Sequence, residues 1–202
     1  MGVMVALLRS HGATMVERHG RSVPANFGSA AGEAAACRSS VGLTERSDRA
    51  TLELRGPRAA VDQALAELAV LGRRAWAARV ASGRALVRCE GDDAAACSFA
   101  LLRPDDASVL DVSEDHAAVD LVGPRAGEVL QAAGVDPECE PVVVLHDGGW
   151  CIELLVARGQ GPALFNRLLE AGAPSGIACV GLDAIEHLAV SEHVDALRGT
   201  FG

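Results

Sequence analysis

The chain has 202 residues, and all 18 of its positive charges are arginine, because the sequence contains no lysine. This composition excludes a Walker-type phosphate lysine and a lysine Schiff base to a carbonyl or pyridoxal substrate. The formal net charge of −9 opposes binding to nucleic acid and to anionic membranes, so we expect no nucleic-acid partner and no membrane partner.

The apolar run at residues 3–8 is too short for a secretory core or a membrane span. Six cysteines lie at positions 37, 89, 97, 139, 151 and 179, and no two of them form a Cys-x-x-Cys pair. Because several fall inside apolar helix or strand patterns, we expect reduced, buried thiols and a cytoplasmic protein.

The first elements in chain order come before any repeated sequence. Residues 13–17 have the pattern of a short strand, and residues 21–28 are predicted to form a loop. Ser29 is a plausible N-cap for a helix that runs to about residue 40, and Gly42 is expected to end it.

A strand–turn–helix pattern then occurs twice, at residues 50–62 and 117–129, with an offset of 67 residues. Each copy contains Gly-Pro-Arg-Ala, beginning at Gly56 and at Gly123, and each proline suits the first position of a helix. In the first copy the alternation places Leu52 and Leu54 on one face of a strand. Two copies of one unit predict a duplicated fold with internal pseudo-two-fold symmetry.

The remaining pattern predicts strands at residues 75–80, 84–89, 107–112, 141–145 and 150–156, with the strand at 141–145 buried on both faces. Helices are predicted at 92–102, with Phe99 on the buried side, at 161–172 and at 181–190. Strands and helices do not alternate one for one, so the sequence favours an α+β fold. We expect a single domain over 1–202, with repeat halves of about 40–104 and 105–190 that meet near Pro104.

Glu153 is the most informative candidate for a functional residue, because it lies in the strongly apolar strand sequence W-C-I-E-L-L-V. Alternation either points its carboxylate to solvent or makes it line a pocket. In a pocket, the carboxylate would accept hydrogen bonds from an N–H-rich heterocycle such as a pterin or a guanine.

Other patterns give weaker support for chemistry. Gly159-Gln160-Gly161 follows a strand, but Pro162 and the absence of a third glycine argue against a dinucleotide site. A turn explains His146-Asp147 at least as well as an acid–base role does. His187 and His193, with Glu186 and Glu192, lie at a spacing unsuited to one helix face, so we expect no metal site.

Several longer motifs resemble the folate-binding part of the glycine cleavage system T protein (aminomethyltransferase) family. They are G-A-T-M-V-E-R-H-G-R-S-V-P-A-N-F-G-S at 12–29, E-A-A-A-C-R-S-S-V-G-L-T-E-R-S at 33–47, D-V-S-E-D-H-A-A-V-D-L-V-G-P-R-A at 111–126, E-L-L-V-A-R-G-Q-G-P-A-L-F-N-R-L-L-E-A-G at 153–172 and G-L-D-A-I-E-H-L at 181–188. The resemblance implies two intertwined halves around a folate cavity, with tetrahydrofolate as the ligand. Glu153 takes the place of the family's pterin-binding glutamate, and Trp150 and Phe27 are candidate stacking or wall residues.

The chain departs from the family pattern in ways that bear on catalysis. No Asp lies between Asp62 and Asp92, where the catalytic aspartate is expected, and Leu182 stands where the family has an arginine. We also expect the C-terminal barrel domain of the family to be absent.

Three hypotheses follow. The chain is a folate-binding, aminomethyltransferase-like protein of one-carbon metabolism, whose transferase activity the sequence leaves open. Alternatively, it is a non-catalytic subunit like the small subunit of heterotetrameric sarcosine oxidase, with a larger oxidoreductase or carrier protein as partner. The third is a divergent reaction that uses His146 or Asp147.

Overall fold

The computed structural model describes residues 2–70, 75–102, 106–136, 143–147 and 150–191. Its helices are α1 (Val3–Ser10), α2 (Ala30–Ser39), α3 (Arg58–Val70), α4 (Ala94–Leu101), α5 (Ala126–Ala132), α6 (Gly161–Gly172) and α7 (Leu182–Ser191). Its strands are β1 (Thr14–Arg18), β2 (Arg21–Asn26), β3 (Gly42–Glu45), β4 (Ala50–Arg55), β5 (Ala75–Ala81), β6 (Arg84–Cys89), β7 (Ser108–Asp111), β8 (His116–Val122), β9 (Val143–Asp147), β10 (Cys151–Ala157) and β11 (Ala178–Cys179).

Two sheets carry the duplicated halves. A five-stranded sheet has the order β11-β3-β8-β10-β9, and a four-stranded sheet has the order β5-β6-β4-β7. The first strand of each half pairs with the other half, because β3 pairs with β8 and β7 pairs with β4. The expected α+β fold with intertwined, duplicated halves is therefore confirmed.

Each sheet buries one apolar face under helices. Leu43, Leu121 and Leu154 of the five-stranded sheet pack with Phe165 and Leu168 of α6. On the four-stranded sheet, residues of α3 and α4 pack with residues of β4, β5 and β6. The opposite faces of the two sheets meet one another and form the interior in which Glu153 lies. None of the described helices is long and apolar enough to cross a membrane.

Several element predictions were wrong in detail. Residues Arg21–Asn26 form a strand, not a loop, and Pro24 is accommodated because this two-stranded sheet has a free edge. Phe99 is 72% exposed, since α4 turns Cys97, Ala100 and Leu101 inward instead. Val143 and Val144 are only half-buried, because β9 is an edge strand of its sheet.

The helices that follow the two Gly-Pro turns begin slightly later than predicted. They start at Arg58 and at Ala126, so Pro57 and Pro124 precede the first helical residue. Ser29 does cap α2, because its hydroxyl accepts a hydrogen bond from the Gly32 N–H at 3.3 Å. Helix α1 was not predicted at all.

Gly123 in the second Gly-Pro turn should not tolerate a side chain. Its φ is +135°, and an added Cβ would lie 2.4 Å from the Cys37 carbonyl oxygen and 2.5 Å from the Ser40 carbonyl oxygen. Gly123→Ala is therefore expected to lower the free energy of unfolding by about 2–3 kcal/mol. Gly127→Ala in α5 meets nothing within 4 Å and is expected to stabilise by about 0.5–1 kcal/mol. Urea unfolding of both variants checks this, and equal effects would contradict it.

Candidate functional site

A layer of buried charged side chains lies between the two sheets. Four of its members lie in strands, where alternation directs them to the faces that meet, and three lie in the connection between β3 and β4. We call this set the charged layer; its members are Glu45, Arg46, Asp48, Arg49, Arg88, Asp120 and Glu153, all at most 5% exposed. Such a concentration of buried charge is unusual and requires internal pairing.

Arg88 is the centre of the charged layer and is fully buried. Its Nε and Nη2 donate to Glu153 Oε1 at 3.0 and 2.7 Å. Its Nη1 donates to the Arg49 carbonyl at 2.8 Å and to Thr51 Oγ1 at 2.9 Å, and its Nη2 also donates to the Arg46 carbonyl at 2.8 Å. These five bonds account for all five N–H donors of a guanidinium.

Glu153 is held by side chains of the same chain on both of its oxygens. Besides the Arg88 bonds on Oε1, the indole Nε1 of Trp76 donates to Oε2 at 2.5 Å. Arg49 Nη1 lies 3.7 Å from Oε1, and the Arg49 guanidinium stacks 4.5 Å from the Trp76 ring centroid. Burial alone would favour the neutral acid, but the charges of Arg88 and Arg49 lower the pKa of Glu153 below its ordinary value.

Asp120 lies on the strand beside Glu153 and is less well paired. The two residues are direct partners in the β8–β10 register, and Arg49 Nη1 donates to Asp120 Oδ2 at 3.3 Å. Asp120 Oδ1 and Thr44 Oγ1, cross-strand neighbours, find no partner among the described residues. Burial and the Glu153 charge raise the pKa of Asp120 to about 7, against the influence of the arginines.

Two further acids of the layer have pKa values that are shifted in opposite directions. Burial raises the pKa of Glu45 to about 7, although it accepts a hydrogen bond from the Ser47 N–H at 3.0 Å. Burial also acts on Asp48, but the bidentate pair with Arg46, at 2.9 and 3.2 Å, lowers the pKa of Asp48 to about 2. The layer contains three arginines and four acids, so protonation of either Glu45 or Asp120 balances its charge.

Two adjoining cavities of about 640 and 600 Å³ reach the edge of the charged layer. Their shared lining consists of Gly20, Arg21, Ser47 and Glu114. The larger cavity touches Glu45 and His116, and the smaller one touches Asp48 and Arg49. Neither cavity is lined by Glu153, Trp76 or Arg88.

The structure places the three sequence-predicted binding residues in three different environments. Glu153 is fully buried in the charged layer, so the solvent-facing alternative is wrong. Trp150 packs against the apolar cluster between α2, α7 and the five-stranded sheet. Phe27 packs against the cluster under α6, and its N–H donates to Glu33 at 2.7 Å. The described contacts do not bring Trp150 or Phe27 to Glu153.

Most of the other residues that the sequence suggests for acid–base or metal chemistry lie outside the part of the chain that the structure describes. The side chains of His146 and Asp147 fall outside the described residues, as do Glu192, His193, Pro104 and Cys139. Glu186 pairs with Arg18. Among the described residues, no group of three His, Cys, Asp or Glu side chains is arranged to hold a metal ion. The five described cysteines are free thiols.

Sequence reasoning missed Arg88, Trp76, Arg49 and Asp120 as neighbours of Glu153. A signal was present, because Asp120 in A-A-V-D-L-V and Arg88 in R-A-L-V-R-C are, like Glu153, charged residues within apolar strands. The repeat offset adds a second signal. Arg88 corresponds to Leu155 and Glu153 to Leu86, and those two leucines lie in one apolar cluster at the same sheet interface. One copy of the interface is apolar and its counterpart is ionic.

No family model matches the chain, and no curated protein matches it. Among solved structures, the chain is similar to the glycine cleavage system aminomethyltransferase T from Bartonella henselae, with 20% identity and a TM-score of 0.68. That match covers 90% of this chain and 59% of the aminomethyltransferase, so the chain spans little more than half of that protein.

A second similar structure is a chain of the heterotetrameric sarcosine oxidase from Corynebacterium sp. U-96, in complex with pyrrole 2-carboxylate. Here the identity is 20%, the TM-score is 0.52, and the match covers 74% of this chain and 93% of the oxidase chain. Together the two structures show that the chain has a T-protein-like fold.

Proposed function

We propose that the chain is a non-catalytic subunit of a larger amine-oxidising enzyme and uses a T-protein-like fold for assembly. The observation that carries the proposal is the internal pairing of Glu153. Arg88 donates two hydrogen bonds to one oxygen and Trp76 donates one to the other. In this arrangement the chain's own N–H groups take the place that N–H groups of a bound heterocycle would occupy.

The comparison with the heterotetrameric oxidase supports the same proposal. The similarity extends over 93% of the matched oxidase chain, so a chain of a heterotetrameric oxidase has a similar fold over nearly its whole length. By contrast, the chain covers 59% of the aminomethyltransferase. Transfer chemistry also needs a group that orients or deprotonates the reacting nitrogen, and neither Arg88 nor Trp76 provides a base at Glu153.

Tetrahydrofolate binding is the second candidate, and a specific observation favours it. Glu153 is a carboxylate in the interior of a fold that matches an aminomethyltransferase at a TM-score of 0.68, and its pKa is lowered so that it stays an acceptor. A pterin that bound there would have to displace Arg88 and Trp76 from Glu153. The family resemblance in the sequence would then extend from the fold to the ligand.

Isolation of the native assembly tests the first candidate. The tagged chain, produced in the organism that encodes it, is expected to elute with a larger oxidoreductase chain at fixed stoichiometry, and the complex should oxidise a secondary amine such as sarcosine. An unrelated protein with the same tag is the control. Elution of the chain only as a monomer or as copies of itself would contradict the proposal.

A further inference from the structure

Helix α4 has an apolar outer face that no described residue covers. The helix sequence A-A-A-C-S-F-A-L contains no charged residue. Cys97, Ala100 and Leu101 fill its inner face, whereas Phe99 is 72% and Leu102 is 50% exposed. Ala95, Phe99 and Leu102 have i, i+4, i+7 spacing and therefore form one stripe, which we call the α4 face. Surface helices of globular proteins normally present polar residues on such a face.

The repeat supplies an internal comparison, because α6 is the counterpart of α4 at the 67-residue offset. At the position equivalent to Phe99, α6 has Asn166, which is exposed. Helix α1 packs beside α6, and its Leu8 is buried in the same cluster as Phe165. In the first half, α4 has an exposed phenylalanine, and among the described residues no helix packs beside α4 as α1 packs beside α6. The fold itself does not require the apolar stripe, so a partner is its physical explanation.

The sequence on either side of the α4 face is acidic on balance, with Asp92 and Asp93 before the helix and Arg103, Asp105 and Asp106 after Leu102. Asp92, with a side chain 89% exposed, and Asp93 precede the helix, and the exposed Asp106 follows Leu102 by four residues. A second copy of this chain placed on the face would set these carboxylates against their own equivalents, which is unfavourable. An apolar centre with an acidic border instead fits a different protein whose contact surface is an apolar pocket bordered by arginine or lysine.

We propose that the α4 face is the surface by which this chain docks on such a partner protein. The inference rests on the proposed function, since it names the surface used for assembly. Phe99 is the anchor that fills the apolar pocket, because large aromatic side chains dominate the binding energy of protein interfaces. Asp92, Asp93 and Asp106 favour the basic partner and make the affinity depend on salt.

The test uses the purified complex and the variant Phe99→Glu, which keeps a good helix former at an exposed position. We expect its affinity for the partner subunit to fall at least about 30-fold. The midpoint of thermal unfolding of the isolated variant should equal that of the isolated wild-type chain. Val3→Glu is the matched control, because Val3 is an apolar helix residue that is 74% exposed, and its affinity should be unchanged. The triple variant Asp92→Asn, Asp93→Asn, Asp106→Asn should weaken the salt dependence of binding.

The outcomes separate this inference from the proposed function. If the complex forms and Phe99→Glu binds as tightly as the wild type, the docking surface is elsewhere and only the inference is overturned. If Phe99→Glu converts a homodimer into a monomer, a second copy covers the face and the inference is again overturned. If no complex with an oxidoreductase forms in any variant, the proposed function fails together with the inference.

Discussion

Arg88→Leu is expected to lower the free energy of unfolding by about 3–5 kcal/mol, because it removes the guanidinium that donates two hydrogen bonds to Glu153 and leaves that carboxylate buried. The wild-type guanidinium makes five hydrogen bonds, two of them to Glu153. Its loss also leaves the Arg46 and Arg49 carbonyls and the Thr51 hydroxyl without these donors. Arg58→Leu, at a side chain 78% exposed, should change stability by less than about 0.5 kcal/mol.

The double variant Arg88→Leu with Glu153→Leu provides the sharper test. The equivalent positions in the other half are Leu155 and Leu86, which pack in one apolar cluster of the same interface. The double variant removes both charges and imitates that apolar copy, so we expect it to recover most of the stability lost in Arg88→Leu. Chemical unfolding of the wild type, both single variants and the double variant measures the coupling. Additive losses in the double variant would show that Arg88 and Glu153 do not form the unit described.

Stability is expected to fall as the pH rises from about 4 to about 7, because of Asp120. Burial and the Glu153 charge raise the pKa of Asp120 from 3.8 to about 7 in the folded protein. Within this window the folded chain keeps a proton that the unfolded chain has released, so raising the pH favours unfolding. One group contributes about 1.4 kcal/mol per pH unit at most, and Glu45, whose pKa is also raised to about 7, acts in the same direction.

Asp120→Asn should reduce this pH dependence. Between pH 5 and pH 8, the wild type is expected to lose a few kcal/mol more of its free energy of unfolding than the variant loses. Asp48 acts outside the window, because the stability from its lowered pKa is present above pH 3.8 and is lost as the pH falls towards 2. Urea unfolding at four pH values between 5 and 8 makes the comparison, with the exposed Asp106→Asn as control. Parallel profiles for the wild type and Asp120→Asn would refute the assignment.

The sequence predicts more of the fold than of the site. The 67-residue repeat and the two-residue alternation predicted the strands from β4 to β8 and β10, because these patterns are local and occur twice. Phe99 was assigned to the wrong side of its helix, since an apolar sequence on every face of α4 does not show which face the core covers. The sequence predicts a loop over Arg21–Asn26, because Pro24 is tolerated in a strand only at an edge, and edges are set by tertiary structure.

The partners of Glu153 were beyond local reasoning. Alternation shows that Arg88 is on the opposite face of β6 from Val87, but not that this face meets β10 of the other half. Trp76 is 77 residues from Glu153 in the chain, and only the packing of the two sheets brings them together. The sequence therefore indicated a carboxylate in need of N–H donors and left open whether a ligand or the protein supplies them.

Calorimetric titration with 5-formyltetrahydrofolate, on the wild type and on Glu153→Gln, tests whether Glu153 is satisfied within the chain or is open to a folate. In our account Arg88 and Trp76 satisfy Glu153, so neither protein should bind the folate at micromolar concentration, which corresponds to about −8 kcal/mol. Saturable micromolar binding by the wild type that weakens at least tenfold in Glu153→Gln would contradict the account. Glu153 would then be the anchor of a working folate site, and Arg88 and Trp76 would be side chains that move when the ligand enters.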